Sequence, residues 1–166
     1  MKNYKAKIIS RKAMVEERAR LKAAGEKVVF TNGCFDILHC GHVSYLNFAR
    51  EQGDALILGV NSDTSVKRNK GGDRPINCEQ DRAEVLAALE CVDYVVLFDE
   101  DEPALLVEAL LPDVLVKGED WAHYVSGRDA VEASGGKVVL AKMVAGRSTT
   151  GTIEKILTVY GAENGH

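Results

Sequence analysis

Short, nearly continuous apolar runs alternate along this chain with stretches whose apolar residues recur at helical spacing. The runs Lys27–Asn32, Asp54–Asn61, Asp93–Phe98, Asp113–Lys117 and Lys137–Ala141 are rich in Val, Leu and Ile and read as five strands. Between and around them, 10–24, Val43–Glu51, Glu79–Leu89, Pro103–Leu110, Ser126–Ala133 and Thr150–Tyr160 read as helices. Pro103 suits a helix start, and Gly25 and Gly135-Gly136 suit helix stops. Strand–helix alternation with strands apolar on both sides predicts an α/β fold, a doubly wound parallel five-stranded sheet covered by helices on both faces. Ligands in such sheets bind beyond the carboxyl ends of the strands, so residues just after strands are the candidates for chemistry. The stretch Ser62–Asn77, rich in Lys, Arg and Gly, reads as a long and therefore functional loop.

A length of 166 residues suits one compact domain, with a helical extension over 1–26, a core over 27–160 and a tail over 161–166. The net charge of −4 argues against a nucleic-acid partner, whose footprint is usually basic. No apolar run reaches the ~18 residues of a membrane span, and the charged start lacks the apolar core of a signal peptide. The expected location is the cytoplasm. Cys34, Cys40, Cys78 and Cys91 contain no Cys-x-x-Cys pair and fit a reducing compartment.

The segment Thr31-Asn32-Gly33-Cys34-Phe35-Asp36-Ile37-Leu38-His39-Cys40-Gly41-His42 lies between the first strand and its helix. If the helix starts near Gly41, its free N–H groups and positive dipole end face the pocket. Gly41 lets a phosphate approach the backbone, and the imidazoles of His39 and His42 can hold oxygens that gain charge during phosphoryl or nucleotidyl transfer. Cys34, His39, Cys40 and His42 also raise zinc. Their spacing fits no finger or ribbon and no second ligand pair follows, so no protein-held metal is expected.

The chain resembles the cytidylyltransferase-like nucleotidyltransferases, whose signature is His-x-Gly-His after a Gly-x-Phe-Asp turn. More closely, TNGCFDILHCGHVSYLNFAR, VNSDTSVKRNKGGDRPIN, ALECVDYVVLF, LPDVLVKGEDW and RSTTGTIEKI are similar to the D-glycero-β-D-manno-heptose 1-phosphate adenylyltransferase family, over about residues 27–157. The resemblance implies a Rossmann-like nucleotidyltransferase fold, with ATP, Mg2+ and a sugar 1-phosphate, heptose 1-phosphate, as reactants. It also implies a role in making ADP-heptose for lipopolysaccharide or related surface glycans. It implies His39, His42 and Lys67 as catalytic residues, Lys67 being the first lysine of its basic loop. Nucleotide contacts fall at Asn32, Gly33, Cys34, Phe35, Gly41, Gly118, Ser148, Thr149 and Thr150. Substrate contacts fall at Asp36, Asn61, Asp63, Lys70, Arg82, Asp120 and Trp121. A homodimer or higher homo-oligomer is also expected. In many bacteria this domain follows a ribokinase-like kinase, for which 166 residues leave no room, so a separate kinase is expected to supply the acceptor.

Several of these residues have a second, structural reading. Lys67, Arg68 and Lys70 suit phosphate neutralisation or a solvated loop. Arg82 suits a phosphate contact or a surface ion pair. Trp121, the only tryptophan, suits packing on a sugar or base, or in the core. Ser148-Thr149-Thr150 can cap the last helix and hold phosphates at once.

Two departures stand out. Related cytidylyltransferases carry Arg-x-x-Gly-Ile-Ser-Thr where this chain has Met143 in place of Arg and Arg147 in place of Ile. Loss of the first Arg favours adenosine over cytidine, and Arg147 has no assigned role, its charge being a candidate to meet the triphosphate. The family's Arg-Tyr-Val-Asp becomes Glu90-Cys91-Val92-Asp93, near the subunit contact of relatives. The competing readings are a glycerol 3-phosphate cytidylyltransferase and a non-catalytic nucleotide-binding module.

Overall fold

A computed structural model describes residues 3–161, so most of the tail, 162–166, lies outside the described residues. The elements are α1 (Arg11–Ala23), β1 (Val28–Gly33), α2 (Cys40–Arg50), β2 (Ala55–Asn61), α3 (Asp63–Lys70), α4 (Glu79–Ala87), β3 (Tyr94–Phe98), α5 (Ala104–Leu110), β4 (Val114–Gly118), α6 (Arg128–Ala133), β5 (Lys137–Ala141) and α7 (Thr149–Tyr160). The strands form one sheet in the order β3-β2-β1-β4-β5, and every neighbouring pair is parallel. This is the expected doubly wound architecture. The chain winds outward from β1 through β2 to β3, then crosses back to β4, so the switch point falls between β1 and β4.

Alternating strand residues feed two cores. Val29, Leu56, Leu58, Val60 and Val116 pack with Leu46, Ala49 and Leu86 of α2 and α4. Val28, Phe30, Ile57 and Leu115 pack on the other face with Met14, Leu21, Leu106 and Val131 of α1, α5 and α6. Because α1 contributes the fully buried Met14, the N-terminal segment is a layer of the core and not an appended extension. Just before α1, the Ile9 amide donates to the Val95 carbonyl, which partly covers the β3 edge.

One expectation fails. Asp63–Lys70 is a helix, and only 71–78 is an irregular connection. The Ser62 hydroxyl accepts from the Ser65 amide as an N-cap, Asp63 sits in the first turn, and Lys67, Arg68 and Lys70 sit in the last. Those charges complement the helix dipole, so the composition that resembled a loop is that of a short capped helix. The helix α7 buries no residue and exposes Ile156, Leu157, Val159 and Tyr160. Among the described residues, no helix is long and apolar enough to cross a membrane.

Candidate active site

The site begins where β1 ends. A Cβ on Gly33 would lie 2.8 Å from the Phe35 ring, so glycine leaves room for that ring to fold back under the strand. Phe35 itself takes a left-handed backbone with φ of 48°. The next residue, Asp36, is sealed from solvent and accepts from Arg74 Nε at 2.6 Å and from the Ile76 and Asn77 amides at 2.8 and 2.9 Å. Burial pushes its carboxyl up, but those amides and the Arg74 guanidinium outweigh it and hold the group below the usual carboxylate range.

This corrects the expectation that Asp36 binds substrate, because protein donors already occupy its oxygens. Arg82 and Asp63 are corrected as well, because they pair with each other outside the pocket lining. Arg82 is 2% exposed and donates to the carbonyls of Cys34 and Asn77 and to Asp63 Oδ1. Neither Arg82 nor Asp63 lines the pocket. Together with Asp36 they bind the β1–α2 turn, α3 and the 71–78 connection into one rigid rim.

Helix α2 starts at Cys40, with His39 as its N-cap residue. The rings of His39 and His42 stack with centroids 3.8 Å apart and 20° between planes, and His42 meets Phe35 edge-on at 5.2 Å. A Cβ on Gly41 would lie 2.9 Å from His39 Nδ1, so glycine lets the ring sit over the helix start. The Nδ1 atoms of both histidines are buried without a partner. A buried polar atom without a partner is unfavourable unless water or a ligand completes its hydrogen bonding, and these two belong to side chains that line a pocket. Burial, followed by the neighbouring His39, lowers the His42 pKa to about 4. Burial, followed by the Arg147 charge, lowers that of His39. Both imidazoles are therefore neutral near pH 7.

A pH effect on stability follows. The unfolded imidazole takes up a proton near pH 6.5, whereas folded His42 resists until about pH 4. The unfolded state binds more protons in that window, so stability is lost as pH falls through it and levels off below. His42→Asn removes this contribution, and its thermal midpoint is expected to fall less than the wild type's across the window. An equal fall in both proteins would show that His42 is not the group responsible.

The opposite wall is built by β4 and its following turn. Lys117 Nζ donates to Asn32 Oδ1 at 2.9 Å and lies 5.5 Å from the Trp121 ring centroid. Burial pushes this ammonium's pKa down, against Asp120, Cys34 and Glu102, which raise it. A Cβ on Gly118 would collide with the Asp120 carboxylate and lie 2.9 Å from Met143 Sδ. Trp121 is 47% exposed, which sets aside its core reading.

The third wall is the start of α7. The Ser148 hydroxyl accepts from the Gly151 amide at 3.0 Å, and Thr149 Oγ1 donates to the Ile37 carbonyl at 3.3 Å. These contacts hold the helix's positive end beside the histidines.

The walls enclose a cavity of about 550 Å3, in the range of small-molecule sites. Of the expected residues it brings together His39, His42 and Gly41, Asn32 to Asp36, Asn61, Lys70, Gly118, Asp120, Trp121 and Ser148 to Thr150. Lys67 is not among them. It lies one turn earlier on α3, whose last turn delivers Asn69 and Lys70 to the lining. Sequence reasoning missed Lys117, Arg74, Tyr124 and Ser126. Lys117 ends the apolar run Val-Leu-Val-Lys-Gly, and its place at a strand's carboxyl end was the available signal. A second hollow, lined by Arg11, Arg68 and residues 97–101, holds only Arg68 among the residues considered for phosphate contact.

This geometry agrees with comparisons to known proteins. Residues 30–155 match the cytidylyltransferase-like family. The chain belongs to that family. It is 59% identical over 143 residues to the bifunctional protein HldE of Geobacter metallireducens, covering 86% of this chain and 29% of that one. It is 56% identical over 154 residues to the bifunctional protein HldE of Mesorhizobium japonicum, covering 92% and 31%. The chain thus spans about a third of the length of these curated relatives. Among solved structures it is similar to a lipopolysaccharide core biosynthesis protein from Thermoplasma volcanium. That match has a TM-score of 0.59 and 30% identity over 72% of this chain and 98% of the other. It also shares its fold with a pantoate-beta-alanine ligase from Francisella tularensis, with a TM-score of 0.60 at 17% identity, covering 91% of this chain and 78% of the ligase. The His39–His42 turn and the start of α7 fall within the span that defines the family.

Proposed function

We propose that this chain is an adenylyltransferase that moves AMP from ATP to D-glycero-β-D-manno-heptose 1-phosphate, giving ADP-heptose and pyrophosphate for lipopolysaccharide or surface glycan synthesis. The observation that carries the reading is the stacked pair His39 and His42, neutral and with unpartnered nitrogens, beside the start of α7. Identities of 56–59% to proteins named HldE support the choice of pathway.

An oxygen of the acceptor phosphate attacks the α-phosphorus of ATP in line, the bond from that phosphorus to the β-phosphate oxygen breaks, and pyrophosphate leaves. The nucleophile is already an anion, so no general base is needed, and catalysis rests on positioning and charge stabilisation. His39 and His42 donate to phosphate oxygens, and the α7 amides with Ser148, Thr149 and Thr150 hold the β and γ phosphates. Lys70 takes the cationic role first assigned to Lys67. Arg147, whose charge is felt at His39, adds a second cation at the triphosphate.

Mg2+ bound to ATP would neutralise phosphate charge, with the phosphates held by Ser148, Thr149, Thr150 and Lys70. Among the described residues, no group of three or more His, Cys, Asp or Glu gathers to hold a metal. ATP as donor puts the reaction in the cytoplasm. The exposed apolar side chains of α7 support self-association, which light scattering at micromolar concentration would check.

Nucleotide choice tests the reading. Met143, which stands in place of the cytidylyltransferase Arg, lines the pocket and offers no donor to cytosine. A missing buried partner costs about 1–3 kcal/mol, so ATP is expected over CTP by about 5- to 150-fold in kcat/KM. Pyrophosphate release is measured with each triphosphate against heptose 1-phosphate, mannose 1-phosphate and glycerol 3-phosphate. Equal use of the two nucleotides, or CTP with glycerol 3-phosphate, would replace this function with the cytidylyl one.

A further inference from the structure

The pocket has one polar wall that the transfer step does not use, between the end of β3 and the start of α6. Tyr124 Oη donates to Glu102 Oε2 at 2.7 Å, which leaves the second carboxylate oxygen open. Beside it, Ser126 is only 8% exposed, and its hydroxyl is sealed without a hydrogen bond of proper geometry, although it lies near enough to the Tyr124 phenol to influence it.

The backbone that carries Ser126 is fixed on both sides. Val125 on one side is a core residue, 5% exposed. Gly127 on the other has φ of 87°, and a Cβ there would lie 2.6 Å from Val107. The backbone on both flanks is therefore locked, with the hydroxyl held in the lining of the cavity. A buried hydroxyl left unpaired is unfavourable unless water or a ligand supplies the missing bond, and this one belongs to a residue of the cavity wall.

The neighbouring groups define that ligand's chemistry. Asp120 makes no hydrogen bond or ion pair among the described residues and lines the same cavity, whereas Asp101 is occupied by Arg68. Lys117 uses one ammonium proton on Asn32 and has two more. Open carboxylate oxygens accept from hydroxyls and repel phosphate. The mixture of acceptors, one hydroxyl and one cation matches a neutral polyol, and the phosphates belong at the His39–His42 end.

We propose that Glu102, Tyr124 and Ser126 form the subsite for the hydroxyls of the acceptor sugar. This rests on the adenylyltransferase reading above and adds which wall holds the sugar. The ribose of ATP carries the same vicinal hydroxyls, so the test separates the two sources.

Initial rates with heptose 1-phosphate are measured for Glu102→Gln and Ser126→Ala, each reactant varied in turn, alongside thermal midpoints. Ser126→Ala is expected to raise the acceptor KM about 3- to 10-fold and Glu102→Gln about 10-fold or more, with the ATP KM within about 2-fold of wild type. The thermal midpoint of Ser126→Ala should not fall, because that hydroxyl has no partner to lose, and a purely structural serine would behave oppositely. An unchanged acceptor KM, or a rise in the ATP KM instead, overturns the subsite while leaving the reaction in place. If wild type does not adenylate heptose 1-phosphate, the function fails separately. Calorimetric titration of mannose 1-phosphate against inorganic phosphate then decides the subsite. A preference for the sugar phosphate that Glu102→Gln abolishes upholds it, and no preference in wild type removes it.

Discussion

His42→Ala is expected to lower kcat by about 10²–10³ while changing the ATP KM far less. Removing one donor aimed at developing charge costs about 2.7–4 kcal/mol in the transition state. On the proposed function, the ground-state triphosphate keeps its other holds, at the α7 amides, Lys70 and Arg147. His42 is the more informative of the pair because Phe35 packs edge-on against its ring and His39 stacks over it, so its orientation is fixed before substrate arrives. Its pKa near 4 also means that it enters the reaction as a neutral donor, without the cost of two adjacent imidazolium charges. His42→Asn retains an N–H donor and should recover part of the rate. Single-turnover measurements with ATP and heptose 1-phosphate separate chemistry from product release. Wild-type turnover in His42→Ala would end the catalytic assignment.

The same local physics explains what was legible beforehand. The strands were readable because parallel strands buried on both faces are apolar throughout, and β2, with all seven residues buried, is the extreme case. The α3 helix was not readable from composition. Its eight residues bury only Ser65 and Val66, so apolar periodicity is nearly absent and only the Ser62 cap and the charge order announce it. The histidine turn and the Ser-Thr-Thr segment could be picked out beforehand because each stands at a helix start after a strand's carboxyl end, and the fold places both in the wall of one cavity. Asp36, Asp63 and Arg82 were misjudged for one shared reason. A charged residue beside a binding motif looks like a ligand contact in one dimension, and only the fold shows that these groups satisfy each other's neighbours. Lys117 is the reverse case. It looks like the end of a strand, and the switch point between β1 and β4 turns it into the pocket wall.

The misjudged aspartate carries the second large effect. Asp36→Ala is expected to destabilise the protein by about 3–5 kcal/mol, the usual result of removing one partner of a buried ion pair. The Asp36 side chain is fully sealed, and that of Arg74 is 17% exposed. The change strands the Arg74 guanidinium and leaves the Ile76 and Asn77 amides without their acceptor. For a chain of this length, the thermal midpoint should drop by roughly 10 °C. Asp36→Asn keeps one acceptor oxygen and should fall between the two. The effect has a pH signature whose sign is fixed by the depressed carboxyl. Its stabilisation is present above the ordinary value of 3.8 and is lost as pH falls through the lower folded value. The gap between wild type and Asp36→Ala should therefore be constant from neutral pH down to about pH 4 and close below it. Denaturant titrations of both proteins at neutral and acid pH measure that gap. An alanine variant as stable as wild type, with a raised KM for heptose 1-phosphate, would return Asp36 to the substrate-binding role expected from sequence.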